Sequence, residues 1–188
     1  MAKLSITISV LISSLSIALL LPWAYSGQPN NKVIKLRFFL QDKYQDPART
    51  VYPVARSDNI TSTSPTSFGE VSVVNDPLTV GPDHNSELIG HAQGIIASAD
   101  LKVPAIHATI TFCFTAGEYK GSSFNMVGRN NLFEEFRKIP IVGGTGAFEM
   151  ARGIITTSNY SSDPATNRAT FVYDIVAVAQ KLEDIAMY

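Results

Sequence analysis

One cysteine, Cys113, is all that 188 residues contain, which excludes an internal disulfide framework and any zinc site built on several thiolates. Charge is scarce and balanced, with 15 Lys and Arg against 16 Asp and Glu, so no basic face awaits the phosphates of a nucleic acid. The three histidines, His84, His91 and His107, stand on no metal-ligating spacing. No Gly-x-Ser-x-Gly elbow is present, which argues against that class of hydrolase. The run Gly143-Gly144-Thr145-Gly146 lacks the Lys and the helix start of a phosphate loop and reads as a tight turn between strands. No metal and no cofactor are expected. Cys113 lies in the apolar run 110–114 and is expected to be a buried thiol acting as a small hydrophobe.

Apolar residues, at 45%, suffice for a core but are unevenly placed. After Lys3, residues 4–21 are apolar apart from Ser and Thr, Pro22 ends the run, and Ala24-Tyr25-Ser26 offers a small-x-small cleavage site. A basic start, an apolar middle and such an end make a secretory signal peptide. A membrane anchor is disfavoured by five serines in the run and by the lack of a basic stop-transfer cluster after it. The expected organisation is a signal over 1–26 and one domain over 27–188, free of the membrane once the signal is cleaved. The sequons Asn59-Ile60-Thr61 and Asn159-Tyr160-Ser161 fall in Ser/Thr/Asp-rich segments, 57–67 and 156–167, that read as exposed loops. Asn59 and Asn159 are the expected glycosylation sites.

From residue 33 the apolar residues recur with period two between turn signals, the pattern of half-buried strands. Strands are expected over 33–42, 71–74, 88–98, 106–115, 122–127, 148–157 and 169–179. Gly90 and Gly94 suit bends in a long curved strand. Two segments invite a short helix or an undefined state: 131–138, stopped by Pro140, and the tail 181–188. Seven or eight strands in one domain indicate an antiparallel barrel or sandwich, and Gly-interrupted strands favour the barrel. Charges set in these strands are the candidates for chemistry: Asp42, Arg152 and Asp174. An aspartate facing the barrel interior has its pKa raised by desolvation and lowered again by a nearby Arg. One at a barrel mouth is simply solvated or paired.

Several motifs, in order, resemble the dirigent proteins of plants. They are Phe68-Gly69-Glu70-Val71, Asp76-Pro77-Leu78-Thr79-Val80-Gly81-Pro82, Gly90-His91-Ala92-Gln93-Gly94, Phe114-Thr115-Ala116-Gly117-Glu118-Tyr119-Lys120-Gly121-Ser122 and Val127-Gly128-Arg129-Asn130. Pro140-Ile141-Val142-Gly143-Gly144-Thr145-Gly146 followed by Met150-Ala151-Arg152-Gly153 is the most specific. The resemblance spans residues 33–180. It implies an all-β fold, an eight-stranded antiparallel barrel of the dirigent and allene oxide cyclase-like kind, a homotrimer, and residence in the apoplast or cell wall. It also implies a small phenolic substrate. Some members direct the coupling of phenoxy radicals made by an external laccase or peroxidase into lignans. Others, the pterocarpan synthases, dehydrate an isoflavanol through a quinone methide.

By the same resemblance Asp42 occupies the first-strand acidic position and is expected to donate a proton, here after Gln41 where many members have His. Arg152 matches the Arg of the Met-Ala-Arg-Gly segment and is expected to stabilise a phenolate or hold the carboxyl. Tyr119 and Asp174 are weaker pocket candidates. Three features depart from the lignan-forming pattern: Ala147 replaces an acid, the paired cysteines are absent, and Ile95-Ile96-Ala97-Ser98 replaces a Tyr- and Phe-rich strand. They point to the dirigent-like branch that includes the pterocarpan synthases. Three functions follow: a stereochemical guide without turnover of its own, an isoflavanol dehydratase, or a non-catalytic cell-wall protein that binds phenolics or glycan.

Overall fold

The computed structural model describes residues 31–60 and 63–180. The expected signal segment 1–26 and the tail 181–188 lie outside the described residues. Nine strands form: β1 (Asn31–Lys43), β2 (Val51–Ala55), β3 (Val71–Thr79), β4 (Leu88–Ser98), β5 (Ala105–Phe114), β6 (Ser123–Asn131), β7 (Arg137–Thr145), β8 (Arg152–Asp163) and β9 (Arg168–Gln180). They run β1-β9-β8-β7-β6-β5-β4-β3, every pairing antiparallel, and β1 returns to β3. The result is the closed eight-stranded barrel expected. Closure removes the unpaired edges that an open sheet would expose.

The closing seam is short and interrupted. β1 meets β3 only at Phe39↔Thr79 and Leu40↔Leu78. The chain then leaves the wall through residues 44–50 and re-enters as β2, which covers the other half of the same β3 edge from Val51↔Val74 to Ala55↔Val71. Thr50 bridges the gap: its amide donates to the Lys43 carbonyl at 2.9 Å, and its own carbonyl accepts from the Asn75 amide at 2.9 Å. Gln41 locks the outside of the seam. Its amide donates to the Thr79 hydroxyl at 3.0 Å and the Pro82 carbonyl at 3.3 Å, and its oxygen accepts from the Thr170 hydroxyl at 2.9 Å. These bonds tie β1, β3 and β9 together and satisfy a buried amide that would otherwise be costly.

Within each strand one parity faces inward. Ile34, Phe38 and Leu40 of β1 are buried while Lys35 and Arg37 are exposed. Half of the interior is filled by an aromatic plug. Phe38 stacks on Tyr173 at 5.6 Å between ring centroids, Phe112 on Phe124 at 4.7 Å, and Phe114 on Phe148 at 5.7 Å. Gly94 lets β4 pass close to β5, since a Cβ there would lie 2.1 Å from the Thr109 carbonyl oxygen.

The strand assignments hold for the expected segments, with longer β3, β6 and β8, and two strands were not foreseen. β2 contains Pro53, which is tolerated because the strand lies at the edge of the pairing. The short helix expected over 131–138 does not form: Asn131 ends β6, residues 132–136 make the connection and β7 begins at Arg137, while the tight turn expected at 143–146 is taken up by the end of β7 and the 3-10 turn after it. Arg137, Ile139 and Ile141 alternate inward, and the β6–β7 ladder runs from Thr145 only as far as Ile141, so Pro140, just beyond its end, interrupts no pairing with β6. Phe148, placed by its sequence in a strand, instead closes a 3-10 turn (Gly146–Phe148) and caps the plug. Cys113 is half-buried on the outer face, its thiol 3.8 Å from the Gln93 side-chain oxygen, because odd-numbered residues of β5 point away from the core.

Phe124 touches four other aromatic rings of the plug, from Phe112 to Phe38 at 6.4 Å. Phe124→Ala is expected to cost about 3–5 kcal/mol of stability, read as a lower urea midpoint at unchanged slope. A loss below 1 kcal/mol would mean that the plug does not act as packed core.

Candidate functional site

The half of the barrel that the plug leaves unfilled is a cavity of about 450 Å³, within the range of small-molecule sites. Leu40, Val74, Ala92, Ile96, Ala108, Ile110 and Met126 supply apolar wall, and Phe171 and Tyr173 supply aromatic surface. Tyr173 stacks on Phe38, so the plug is continuous with the cavity lining.

Two aspartates meet on this wall. Leu40 pairs with Leu78 at the seam, and the same register carried two residues further sets Asp42 of β1 opposite Asp76 of β3. Both line the cavity, and Asp76 is only 3% exposed. They sit where the β1 ladder has ended and the β2 ladder has not begun. The Tyr44 hydroxyl donates to Asp42 Oδ2 at 2.7 Å, while Asp76 Oδ1 has no hydrogen-bond partner. Burial pushes Asp42 up to about 6, against hydrogen bonds from Tyr44 and Asp76 that pull it down. Burial, and then the negative charge of Asp42, push Asp76 up to about 9. Two carboxyls so placed cannot both ionise at neutral pH, and the pair holds one proton between them. Burial, and then Asp42, also raise the phenols of Tyr44 and Tyr173 above their ordinary range, which keeps both protonated.

Cationic and amide groups complete the lining. Arg49 and Arg137 both reach the cavity, as does Asn130. The Arg49 guanidinium lies 5.6 Å from the Tyr52 ring and that of Arg137 lies 5.6 Å from the Phe171 ring. Among the described residues no three His, Cys, Asp or Glu side chains gather as a bound metal would require.

Of the candidate site residues Asp42, Arg152, Tyr119 and Asp174, only Asp42 lines this cavity. Arg152 is exposed at the start of β8, where it is level with Val178 and, through it, with Val33 at the far end of β1 from Asp42. Its guanidinium is held by the Val142 and Ala151 carbonyls and cannot hold the Asp42 carboxyl. Tyr119 packs its ring 5.1 Å from Phe148 and 5.9 Å from Phe114, sealing the plugged end. Asp174 points outward into a two-bond pair with Arg37 at 2.6 and 2.8 Å, because the odd residues of β9 take the interior. Asn59 is exposed in a turn, and Asn159 is exposed on strand β8 rather than in a loop.

Asp76 falls past the end of the strand expected over 71–74, in the turn-like triplet Asn75-Asp76-Pro77. Its parity with Ser72, Val74 and Leu78 was the available signal. Arg137 was hidden inside a segment read as helical. Tyr44 and Arg49 lie in the excursion between β1 and β2, whose course only the seam explains.

The family model for dirigent-like protein matches residues 33–178. The chain is 36% identical over 166 residues to Dirigent protein 1 of Arabidopsis thaliana, covering 85% of this chain and 91% of that protein. It is 37% identical over 150 residues to Pterocarpan synthase 1 of Glycyrrhiza echinata, covering 79% of each. The solved structure of the pterocarpan synthase dirigent protein GePTS1 superposes with a TM-score of 0.74 at 36% identity, over 85% of this chain and 91% of that one. With its barrel, its motifs and nearly all of its described residues accounted for, the chain belongs to the dirigent-like protein family.

Proposed function

We propose that this barrel holds a phenolic, phenylpropanoid-derived intermediate and fixes its stereochemistry during a quinone-methide step, with Asp42 and Asp76 as the shared proton source. The observation that carries this is the pair itself. It is a carboxylic acid still protonated at neutral pH, set against apolar and aromatic walls that suit a flat ligand. An acid poised near the working pH is what departure of a poor leaving group such as hydroxide needs.

The chemistry balances without a cofactor. With the substrate's phenol ionised, the proton of the pair passes to a departing hydroxyl as its C–O bond breaks, which gives water and a neutral quinone methide. A second hydroxyl of the substrate then adds to the methide carbon, its proton returns to the carboxylate, and the phenolate is restored. The wall around the cavity presents one face of the methide to that hydroxyl, so ring closure yields one stereoisomer. The available proton and the likeness to pterocarpan synthases favour an isoflavanol dehydratase. The second reading is a guide for phenoxy radicals supplied by a laccase or peroxidase, which the likeness to curated dirigent proteins supports.

Secretion to the apoplast accords with the sequence of residues 1–26 and with the exposure of Asn59 and Asn159. A homotrimer accords with two separate apolar patches on the outer wall. One comprises Val33, Val178, Val176 and Ile154 on β1, β9 and β8, and the other Tyr52, Val73 and Ile95 on β2, β3 and β4. Two unlike patches favour head-to-tail contacts, which close into a ring rather than a two-fold dimer.

An isoflavanol supplied alone is expected to be consumed with formation of one enantiomer, read by chiral chromatography. Asp42→Asn is expected to lower that rate by about 10²–10⁴-fold in a folded protein. If coniferyl alcohol with laccase instead gives enantiomeric excess and the isoflavanol is untouched, the radical-guide reading replaces the dehydratase. Inactivity on both, with binding retained, leaves a non-catalytic binder.

The raised carboxyls also set a pH dependence. In the unfolded chain both aspartates ionise near 4, whereas the folded pair keeps its protons to about 6 and about 9. The folded state therefore binds more protons between these limits, and stability falls as pH rises from about 4 to about 9. Asp76→Asn is expected to unfold at higher urea than the parent at pH 8 and at a similar concentration at pH 4. An equal difference at both pH values would show that the pair is not coupled to folding. Light scattering is expected to give three times the protomer mass, and Val176→Glu to reduce it.

A further inference from the structure

The two aspartates of the cavity are not equivalent, and the difference lies in the donors around them. Asp42 is half-buried, and the Tyr44 hydroxyl donates to its Oδ2 at 2.7 Å. Asp76 is 3% exposed, and its Oδ1 has no hydrogen-bond partner. A buried carboxylate needs donors at its oxygens, whereas a neutral carboxyl brings a proton of its own. The carboxyl that lacks a donor is therefore the place for the one proton the pair retains.

The backbone sets Tyr44 for this contact. It follows Lys43, the last residue of β1, and lines the cavity with Leu40 and Asp42 of the same parity. Its amide donates to the Asn167 carbonyl at 3.0 Å, in the turn between β8 and β9. Just before it, the Lys43 amide donates to the Thr50 hydroxyl at 2.9 Å, and the Lys43 carbonyl accepts from the Thr50 amide at 2.9 Å. The excursion is thus closed at its base. Tyr44 is 43% exposed, so part of its ring meets solvent while its hydroxyl reaches Asp42. Burial, and then the charge of Asp42, keep the phenol protonated and hence a donor.

The other ionisable groups that line the cavity around Asp42 are Asp76 on β3, Tyr173 on β9, Arg137 on β7, Glu70 ahead of β3 and Arg49 in the excursion. Burial raises Asp42, and the groups that pull it down are Tyr44 first and then Asp76. A hydrogen bond from Thr50 also pulls Asp76 down, but burial and the charge of Asp42 outweigh it.

We propose that Tyr44 is the positioning residue of the acid pair: by donating to Asp42 Oδ2 it holds Asp42 as the carboxylate, so that the proton given to the leaving group is the one on Asp76. This rests on the quinone-methide function above and adds which carboxyl is the acid and what keeps it so. Asp76 loses its proton to the departing hydroxyl and becomes a carboxylate beside a second one. The Tyr44 hydrogen bond faces an oxygen that is ionised before and after that transfer, so it needs no rearrangement as charge builds up. The proton of the second hydroxyl then returns to Asp76.

The test is a pH titration of the carboxyl carbons by NMR in protein labelled with 13C-aspartate. The two signals are identified as those missing from Asp42→Asn and from Asp76→Asn. At pH 7.5 the parent is expected to show Asp42 ionised and Asp76 protonated. Tyr44→Phe keeps the ring and removes the donor, and its Asp42 midpoint is expected to rise by about 1 pH unit. With an isoflavanol, Tyr44→Phe is expected to lower kcat about 10-fold at unchanged KM, as loss of a hydrogen bond to a charged group would.

Ionisation of Asp76 below Asp42 in the parent overturns the proposal without recourse to any variant at Tyr44. An Asp42 midpoint unmoved in Tyr44→Phe, or a raised KM with kcat intact, overturns it as well. An isoflavanol left untouched by the parent, with both titrations as expected, strikes the dehydratase reading and leaves the proton assignment standing, since the titration needs no substrate.

Discussion

Closing a sheet into a barrel requires its two edges to meet, and in this protein they meet over two residue pairs. β1 gives out after Leu40↔Leu78 and β2 takes over at Val51↔Val74, so the β3 edge between them is covered by an excursion of the chain rather than by a ladder. The acidic end of the cavity follows from that break. Asp42 and Asp76 face each other where neither ladder runs, and Tyr44 and Arg49 come from the excursion itself. Gln41 offsets the weakness with hydrogen bonds to Thr79, Pro82 and Thr170 on the outside of the wall, immediately behind the acid.

The interior is divided between two uses. Aromatic rings fill one half to close contact, and large side chains there serve stability through apolar burial and ring packing. The other half is left open, with smaller residues such as Ala92 and Ala108 on its wall, and it gathers the ionisable groups. Packed core and buried ionisable groups are thereby separated within the barrel. Tyr173 belongs to both halves: its ring stacks on Phe38, and its phenol lies within the fields of Asp42, Asp76 and Arg137.

Leaving polar atoms of Asp76, Asn130 and Arg137 buried without partners costs the apo barrel free energy. Such a cost is tolerable at a binding site, where a ligand supplies the missing partners. The arrangement also explains why a barrel with so few charges overall, 16% of residues, can still hold a strongly polar interior site. Most other charges stand outside, as Arg37 and Asp174 do, in solvent-exposed pairs of small energetic worth.

Most of the strands, the antiparallel barrel and the place of Asp42 in the first strand were determined by the sequence alone, because alternation, turn residues and family motifs are local properties. Which charges enter the cavity was decided only by the tertiary structure. The outer face of β9 carries Val176 and Val178 beside Asp174, so both faces of that strand look equally apolar, and parity could not reveal that Asp174 points out. Arg137 lies in a segment that Pro140 makes read as a stopped helix, and Pro140 fits in β7 because the β6–β7 ladder ends at Ile141. Asp76 lies past the strand expected over 71–74, and it meets Asp42 because β1 returns to β3. Partners brought together from 34 positions apart are a consequence of closure, which no window of the sequence contains.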